Sequence, residues 1–175
     1  MAIRNFKNHQ PDIHATAFVD EMALVLGNVQ IGANCSIWPM TVIRGDVNSI
    51  VIGDNTNIQD NSVLHVTHDG TYNPGGFDLK IGNNVTVGHR VILHGCHIGD
   101  SCLIGMGATI MDGVVIEPNT IVGAGSLVTP NKHLDSGHLW MGSPARKVRA
   151  LTEEEIKSIE YSAINYSKLK DRHKV

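Results

Sequence analysis

Apolar residues recur every six positions along most of this chain. Val19, Val25, Ile31, Ile37 and Ile43 form one run, and Ile52, Ile58 and Leu64 a second. Ile81, Val87 and Leu93 form a third. Ile98, Ile104, Ile110, Ile116, Val122 and Val128 form the last. A sustained period of six predicts a β-helix, a solenoid of short strands and turns whose stacked coils share one core. Three hexads make a coil of about eighteen residues. A residue and its equivalent three hexads later therefore share a face, about 4.8 Å apart. Gly27-Asn28, Gly53-Asp54 and Gly82-Asn83 mark the corners.

The breaks in the pattern are as informative as the repeats. The step from Ile43 to Ile52 is nine residues, that from Leu64 to Ile81 seventeen, and that from Leu93 to Ile98 five. The long step predicts an excursion loop at about 66–80 carrying His68, Asp69, Gly70, Pro74, Gly75 and Gly76. Such loops are often functional. After Val128 the repeat is expected to stop. Gly142-Ser143-Pro144 reads as an exit turn. Thr152 followed by Glu155 is a capping box. It opens a helix expected from about 153 to 170, with Ile156, Ile159, Ala163, Tyr166 and Lys170 on one face. The expected organisation is a β-helix domain over 1–150 and, within 151–175, a C-terminal helix packed along it, covering an exposed strand or edge.

Composition narrows the function. A chain of 175 residues is long enough for one domain with a sizeable core. A formal charge of −3 and the lack of a basic stripe argue against a general binder of nucleic acid or anionic membranes. Residues 1–10 carry Arg4 and Lys7 but no apolar segment, so no signal peptide is expected. No apolar run reaches about eighteen residues, the length of a membrane span. A cytoplasmic location follows as an expectation. In that setting Cys35, Cys96 and Cys102 read as reduced thiols.

Three of the ten histidines stand apart. His65 follows Leu64 and His94 follows Leu93, so both fill the same hexad slot. With the insert counted as an excursion, they project from one face on adjacent coils. Two imidazoles so placed can share a zinc ion, with Zn–N of about 2.0–2.1 Å. His89 occupies another slot on another side of the triangle, out of reach of the same metal within its own chain. It can reach one from a neighbouring subunit across a three-fold interface. The inference is a trimer with intersubunit metal sites. Three neutral nitrogen ligands leave a fourth position open, the pattern of catalytic zinc, whose bound water has a pKa of about 7. Ferrous iron or cobalt suits the same ligands. His9, His14, His133, His138 and His173 read as surface or hydrogen-bonding residues. Cys96 reads as a core residue, and His97 is not taken as a ligand. Gln59, one hexad ahead of His65, offers an amide that can orient hydroxide or substrate. Asn57 and Asp60 suit either that surrounding layer or turn chemistry. Arg44 and Asp46 suit an ion pair, possible across a subunit interface.

Taken together, these segments resemble a known family. Arg44-Gly45-Asp46, Asn57-Ile58-Gln59-Asp60-Asn61 leading to Val63-Leu64-His65, then Val87-Gly88-His89 and Leu93-His94-Gly95-Cys96 are similar to the γ-class carbonic anhydrases. The similarity runs from about residue 11 to 170 and includes Tyr161-Ser162-Ala163 and Asn165-Tyr166. It is nearest to the bacterial γ-carbonic-anhydrase-like proteins of the hexapeptide-repeat superfamily. The resemblance implies a left-handed parallel β-helix, although the general crossover rule favours a right hand. It implies a homotrimer with zinc at each interface, held by His65, His89 and His94. It implies a role for Gln59 beside zinc-bound hydroxide, with Asn57 nearby and Arg44 and Asp46 at the interface, supporting the bicarbonate site. Tyr161 is implied to approach the pocket from the helix. The sequence departs from the best-studied type at Val47, where that type has a glutamate, and in the loop, which offers His68 and Asp69. His68 reads either as a substitute proton shuttle or as a solvated loop residue.

The leading expectation is a zinc-dependent enzyme for the reversible hydration of CO2 to bicarbonate. The alternatives are a zinc-assisted thioester hydrolase, a coenzyme A-dependent acyltransferase, and a non-catalytic metal-binding trimeric module. The acyltransferase needs a base and a thioester channel but no three-histidine metal site.

Overall fold

The computed structural model describes residues 2–173; the domain limits expected at 1 and 175 fall outside them. The chain winds as a left-handed parallel β-helix of about eight turns, followed by one helix. Its cross-section is triangular, with a ladder of short parallel strands on each side. The first face stacks Val63–His65, Ile92–His94, Thr109–Ile110 and Leu127–Val128. The second stacks Leu79–Ile81, His97–Ile98, Val115–Ile116 and His133–Leu134. The third runs from Phe18–Val19 through Ser36–Ile37, Asn57–Ile58, Thr86–Val87, Leu103–Ile104 and Ile121–Val122 to His138–Gly142. Two longer strands, Leu24–Ile31 and Val42–Ile52, bend from the first face onto the second. The long step from Ile43 to Ile52 is this bend.

The hexad residues form three columns inside the triangle. On the first face Val25, Ile43, Leu64, Leu93, Ile110 and Val128 stack in register. On the third, Ile37, Ile58, Val87, Ile104, Val122 and Trp140 do the same. All of these are buried. Flat stacking of this kind favours β-branched side chains. Tight corners need left-handed backbone, and Asn34, Asn55, Asn84 and Asn119 supply it at one corner with φ between 54° and 57°. Asparagine adopts that conformation at little cost. The Asn34 amide donates to Asn55 Oδ1 (3.3 Å), and that of Asn55 to Asn84 Oδ1 (3.2 Å), so the corner zips along the axis.

Three sequence expectations need correction. The coil does not end at Val128: Leu134 and Trp140 extend the same period of six and are buried. An antiparallel strand, Ala145–Ala150, then pairs with the last coil. The excursion is shorter than 66–80, because Leu79 is fully buried and opens the next strand. On the helix, Glu153–Leu169, Ile159 and Ala163 are buried, but Ile156 is 37% exposed. The capping box is present, with Thr152 accepting from the Glu155 N–H and Glu155 accepting from the Thr152 N–H. The helix lies on the third face, where Thr86 donates to Ser162 (3.1 Å) and Tyr166 meets Trp38 edge-on. No helix among the described residues is long and apolar enough to cross a membrane.

All three cysteines are free and buried. Burial pushes the Cys35 thiol up to about 11 and that of Cys102 to about 12, so neither supplies a thiolate at neutral pH.

The columns predict the cost of a core truncation. Ile104 lies mid-column between Val87 and Val122. Ile104→Ala is expected to lose about 3 kcal/mol of stability in denaturant unfolding. A loss below about 1 kcal/mol would show that the column is not the packed core.

Candidate metal centre

The strands Val63–His65 and Ile92–His94 pair in register, which sets His94 beside His65. Leu64 and Leu93 point into the core, so the histidines that follow them point out. His65 Nδ1 and His94 Nε2 face one another at 3.0 Å. Each ring gives its other nitrogen to a carboxylate. His65 Nε2 donates to Asp46 Oδ1 (3.0 Å), and His94 Nδ1 donates to Asp112 Oδ1 (2.6 Å). Asp46 also pairs with Arg44, and Asp112 accepts from the Thr67 hydroxyl (2.8 Å).

That arrangement has an electrostatic consequence. When both outer nitrogens carry hydrogen, both inner nitrogens of neutral rings present lone pairs to one another. A proton on one ring, or a cation shared by both, relieves the repulsion. Burial holds the His65 imidazole below its ordinary pKa, and the positive charge of Arg44 adds to this, against the hydrogen bond that the ring donates to Asp46. Partial burial works to raise the Asp46 carboxyl. Hydrogen bonds from His65 and Arg44 outweigh it and keep Asp46 below the usual carboxylate range. Burial therefore disfavours a proton on His65, even with the charged carboxylate beside it. Imidazoles backed by carboxylates are a usual surrounding for a bound metal ion, so this donor set fits one.

His89 stands elsewhere, at the corner after the third-face strand Thr86–Val87. Its Nδ1 donates to Asp60 Oδ2 (2.8 Å), leaving Nε2 as the lone-pair nitrogen. It borders a groove of about 470 Å³ between the helix and the third face, with Gln59, Leu103, Met106, Ser162 and Tyr166. A buried polar chain lies along one wall. Gln59 Nε2 donates to Asn57 Oδ1 (3.1 Å), Asn57 Nδ2 to Thr86 Oγ1 (2.9 Å), and Thr86 to Ser162. Burial, with the Asp60 charge, raises the Tyr166 phenol above its ordinary pKa.

The sequence-derived candidates thus fall into two groups on two surfaces. His65, His94, Arg44 and Asp46 form one; His89, Asp60, Gln59 and Asn57 form the other. No side-chain hydrogen bond among the described residues joins them. Within a single chain, no three His, Cys, Asp or Glu side chains among the described residues are grouped to hold a metal ion. Asn57 is a buried strand residue rather than a turn residue. Tyr161 is 70% exposed on the outward side of the helix, and Tyr166 borders the groove instead. His68 is exposed on the excursion loop. Cys96 is a core residue, and His97 donates to Asp78 on the second face (2.7 Å).

Asp112, Thr67, Thr86 and Ser162 escaped the sequence reading. Slot counting gives a signal for Asp112. Leu93 pairs with Ile110, so Met111 stands above His94 and Asp112 above Gly95. No such count finds Thr67, which lies in the excursion.

The family described as bacterial transferase hexapeptide (six repeats) matches residues 78–110 and 95–130. YrdA of Escherichia coli is 48% identical over 171 residues, covering 98% of this chain and 93% of its own. Mitochondrial gamma carbonic anhydrase 1 of Arabidopsis thaliana is 47% identical over 174 residues, covering 98% of this chain. This chain spans 62% of that longer protein. A hexapeptide transferase family protein from Anaplasma phagocytophilum has a crystal structure that matches with a TM-score of 0.90 at 42% identity. The match covers 99% of this chain and 98% of that one. The chain belongs to the γ-carbonic-anhydrase-like hexapeptide-repeat proteins. Members of this group carry both anhydrase and transferase names, so the fold does not choose between the chemistries.

In this γ-carbonic-anhydrase-like chain, two glycines test how tightly the His94 surroundings are built. Gly95 has φ +53°, and an added Cβ would lie 2.4 Å from Asp112 Oδ1 and 2.6 Å from Phe77 Cβ. Gly75 has φ +82° and open space around it. Gly75→Ala is expected to cost about 1 kcal/mol in denaturant unfolding, from backbone strain alone. Gly95→Ala should cost clearly more. Equal costs would show that Asp112 yields freely.

Proposed function

We propose that this protein is a zinc-dependent carbonic anhydrase that hydrates CO2 reversibly to bicarbonate. It works as a homotrimer in the cytoplasm, with its metal sites between subunits. His65 and His94 of one subunit and His89 of the next are the ligands. The observation that carries this reading is the division of one donor set between two surfaces. Two imidazoles turn ring nitrogens toward each other at 3.0 Å, while a third stands at a separate corner, and all three are backed by carboxylates. The 47% identity to a gamma carbonic anhydrase supports the same chemistry. Ferrous iron or cobalt would suit the same nitrogens.

A zinc ion held there would supply Lewis-acid activation of water at neutral pH. The chain's own groups do the rest. Asp46, Asp112 and Asp60 hold the three rings in orientation, each bonded to one ring nitrogen and leaving the other facing away from its carboxylate. Gln59 has its amide nitrogen committed to Asn57, so its carbonyl oxygen is the end left to accept a hydrogen from water. A water held at the site would be oriented by that acceptor. Arg44 is 42% exposed beside Asp46 and offers a positive charge to the bicarbonate anion. His68, exposed on the excursion loop, is the residue assigned to pass the proton to solvent.

Stopped-flow CO2 hydration on protein of known zinc content tests the reading. The expected result is a rate that scales with bound zinc and vanishes in His94→Ala. No hydration at full zinc occupancy would overturn it. Hydrolysis of a thioester by the same zinc-loaded protein would then move the reaction to the apolar groove beside His89.

A further inference from the structure

The Asp112 carboxylate is built differently from the Asp54, Asn83 and Asp100 side chains, which line another corner of the coil. Asp54 Oδ1 accepts from the Ala33 N–H (2.7 Å), Asn83 Oδ1 from the Asp54 N–H (2.8 Å), and Asp100 Oδ1 from the Asn83 N–H (2.7 Å). Those side chains satisfy backbone and hold the turns. Among the described residues no backbone N–H donates to the Asp112 carboxylate. Both its oxygens go to side chains: Oδ1 to His94 Nδ1 at 2.6 Å and Oδ2 to Thr67 Oγ1 at 2.8 Å. Three separate pieces of chain therefore meet at one carboxylate. They are the end of the Ile92–His94 strand, the start of the excursion loop, and the corner of the next coil. The space it fills exists because residue 95 has no Cβ.

We infer that Asp112, aligned by Thr67, is a positioning residue that sets the metal affinity of His94; this rests on the metal reading above. Its charge holds hydrogen on Nδ1, which leaves Nε2 as the donor atom and makes the ring a stronger ligand. Thr67 fixes the carboxylate by occupying its second oxygen, which makes the excursion loop part of the metal site's support. A residue kept only for the turn would have no effect on metal affinity beyond its effect on folding.

The test is zinc affinity by competition with a chromophoric chelator, together with the visible spectrum of the cobalt form. Denaturant unfolding of the metal-free protein runs in parallel. Wild type should bind zinc. Asp112→Asn keeps an acceptor oxygen but loses the charge. It should weaken zinc binding by about 10- to 100-fold and shift the cobalt bands, while unfolding near the wild-type midpoint. Thr67→Val should weaken binding in the same direction by less. If Asp112→Asn fails to fold, Thr67→Val decides alone. Unchanged zinc affinity and cobalt spectrum in a folded variant would overturn the inference. So would an affinity loss matched by an equal loss of stability in the metal-free protein. Wild type that binds no zinc would overturn the metal reading itself.

Discussion

Each coil of this protein hydrogen-bonds to the next through parallel strands, and no coil can bury its apolar face alone. Register is therefore imposed along the whole axis. A slip of one residue would turn every buried isoleucine outward. Leu64 and Leu93 pair within the core, and that pairing forces His65 and His94 side by side on the surface. The site inherits its precision from the hydrophobic columns beneath it. Rigid strands also hold catalytic geometry more closely than loops do.

The chemistry sits where the repeat is broken. The bend within Val42–Ile52 carries Arg44 and Asp46, and the excursion carries Thr67 and His68. The short step after Leu93 brings Asp112 over Gly95. Regular hexads build the support, and each departure delivers a polar group that a regular hexad would have left in the wrong slot. His89 obeys the repeat, and so stays on a different side from its proposed partners. The separation of His89 from His65 and His94 within one chain is a direct result of the triangular cross-section.

Most of the fold was legible because a period of six is visible without any tertiary information. The shared slot of His65 and His94 was legible for the same reason. The last coil was missed because Leu134 and Trp140 follow a proline and lysine-histidine stretch that hides the period. Asp112 lay within reach of the same count, above Gly95, whereas Thr67 lies in an excursion that has no slot to count. Tyr161 was named by resemblance, whereas helical geometry turns Tyr166 to the groove and Tyr161 outward. Local period thus carries the scaffold, and contacts between distant breaks carry the details of the site.

The central claim is that one metal site needs two subunits. It is tested most directly by zinc content after co-expression of His89→Ala chains with His94→Ala chains. The account predicts almost no zinc in either variant alone. In the mixture zinc returns, because a His89→Ala subunit supplies His65 and His94 while its neighbour supplies His89. Full zinc in His89→Ala alone, or none in the mixed oligomers, would contradict it.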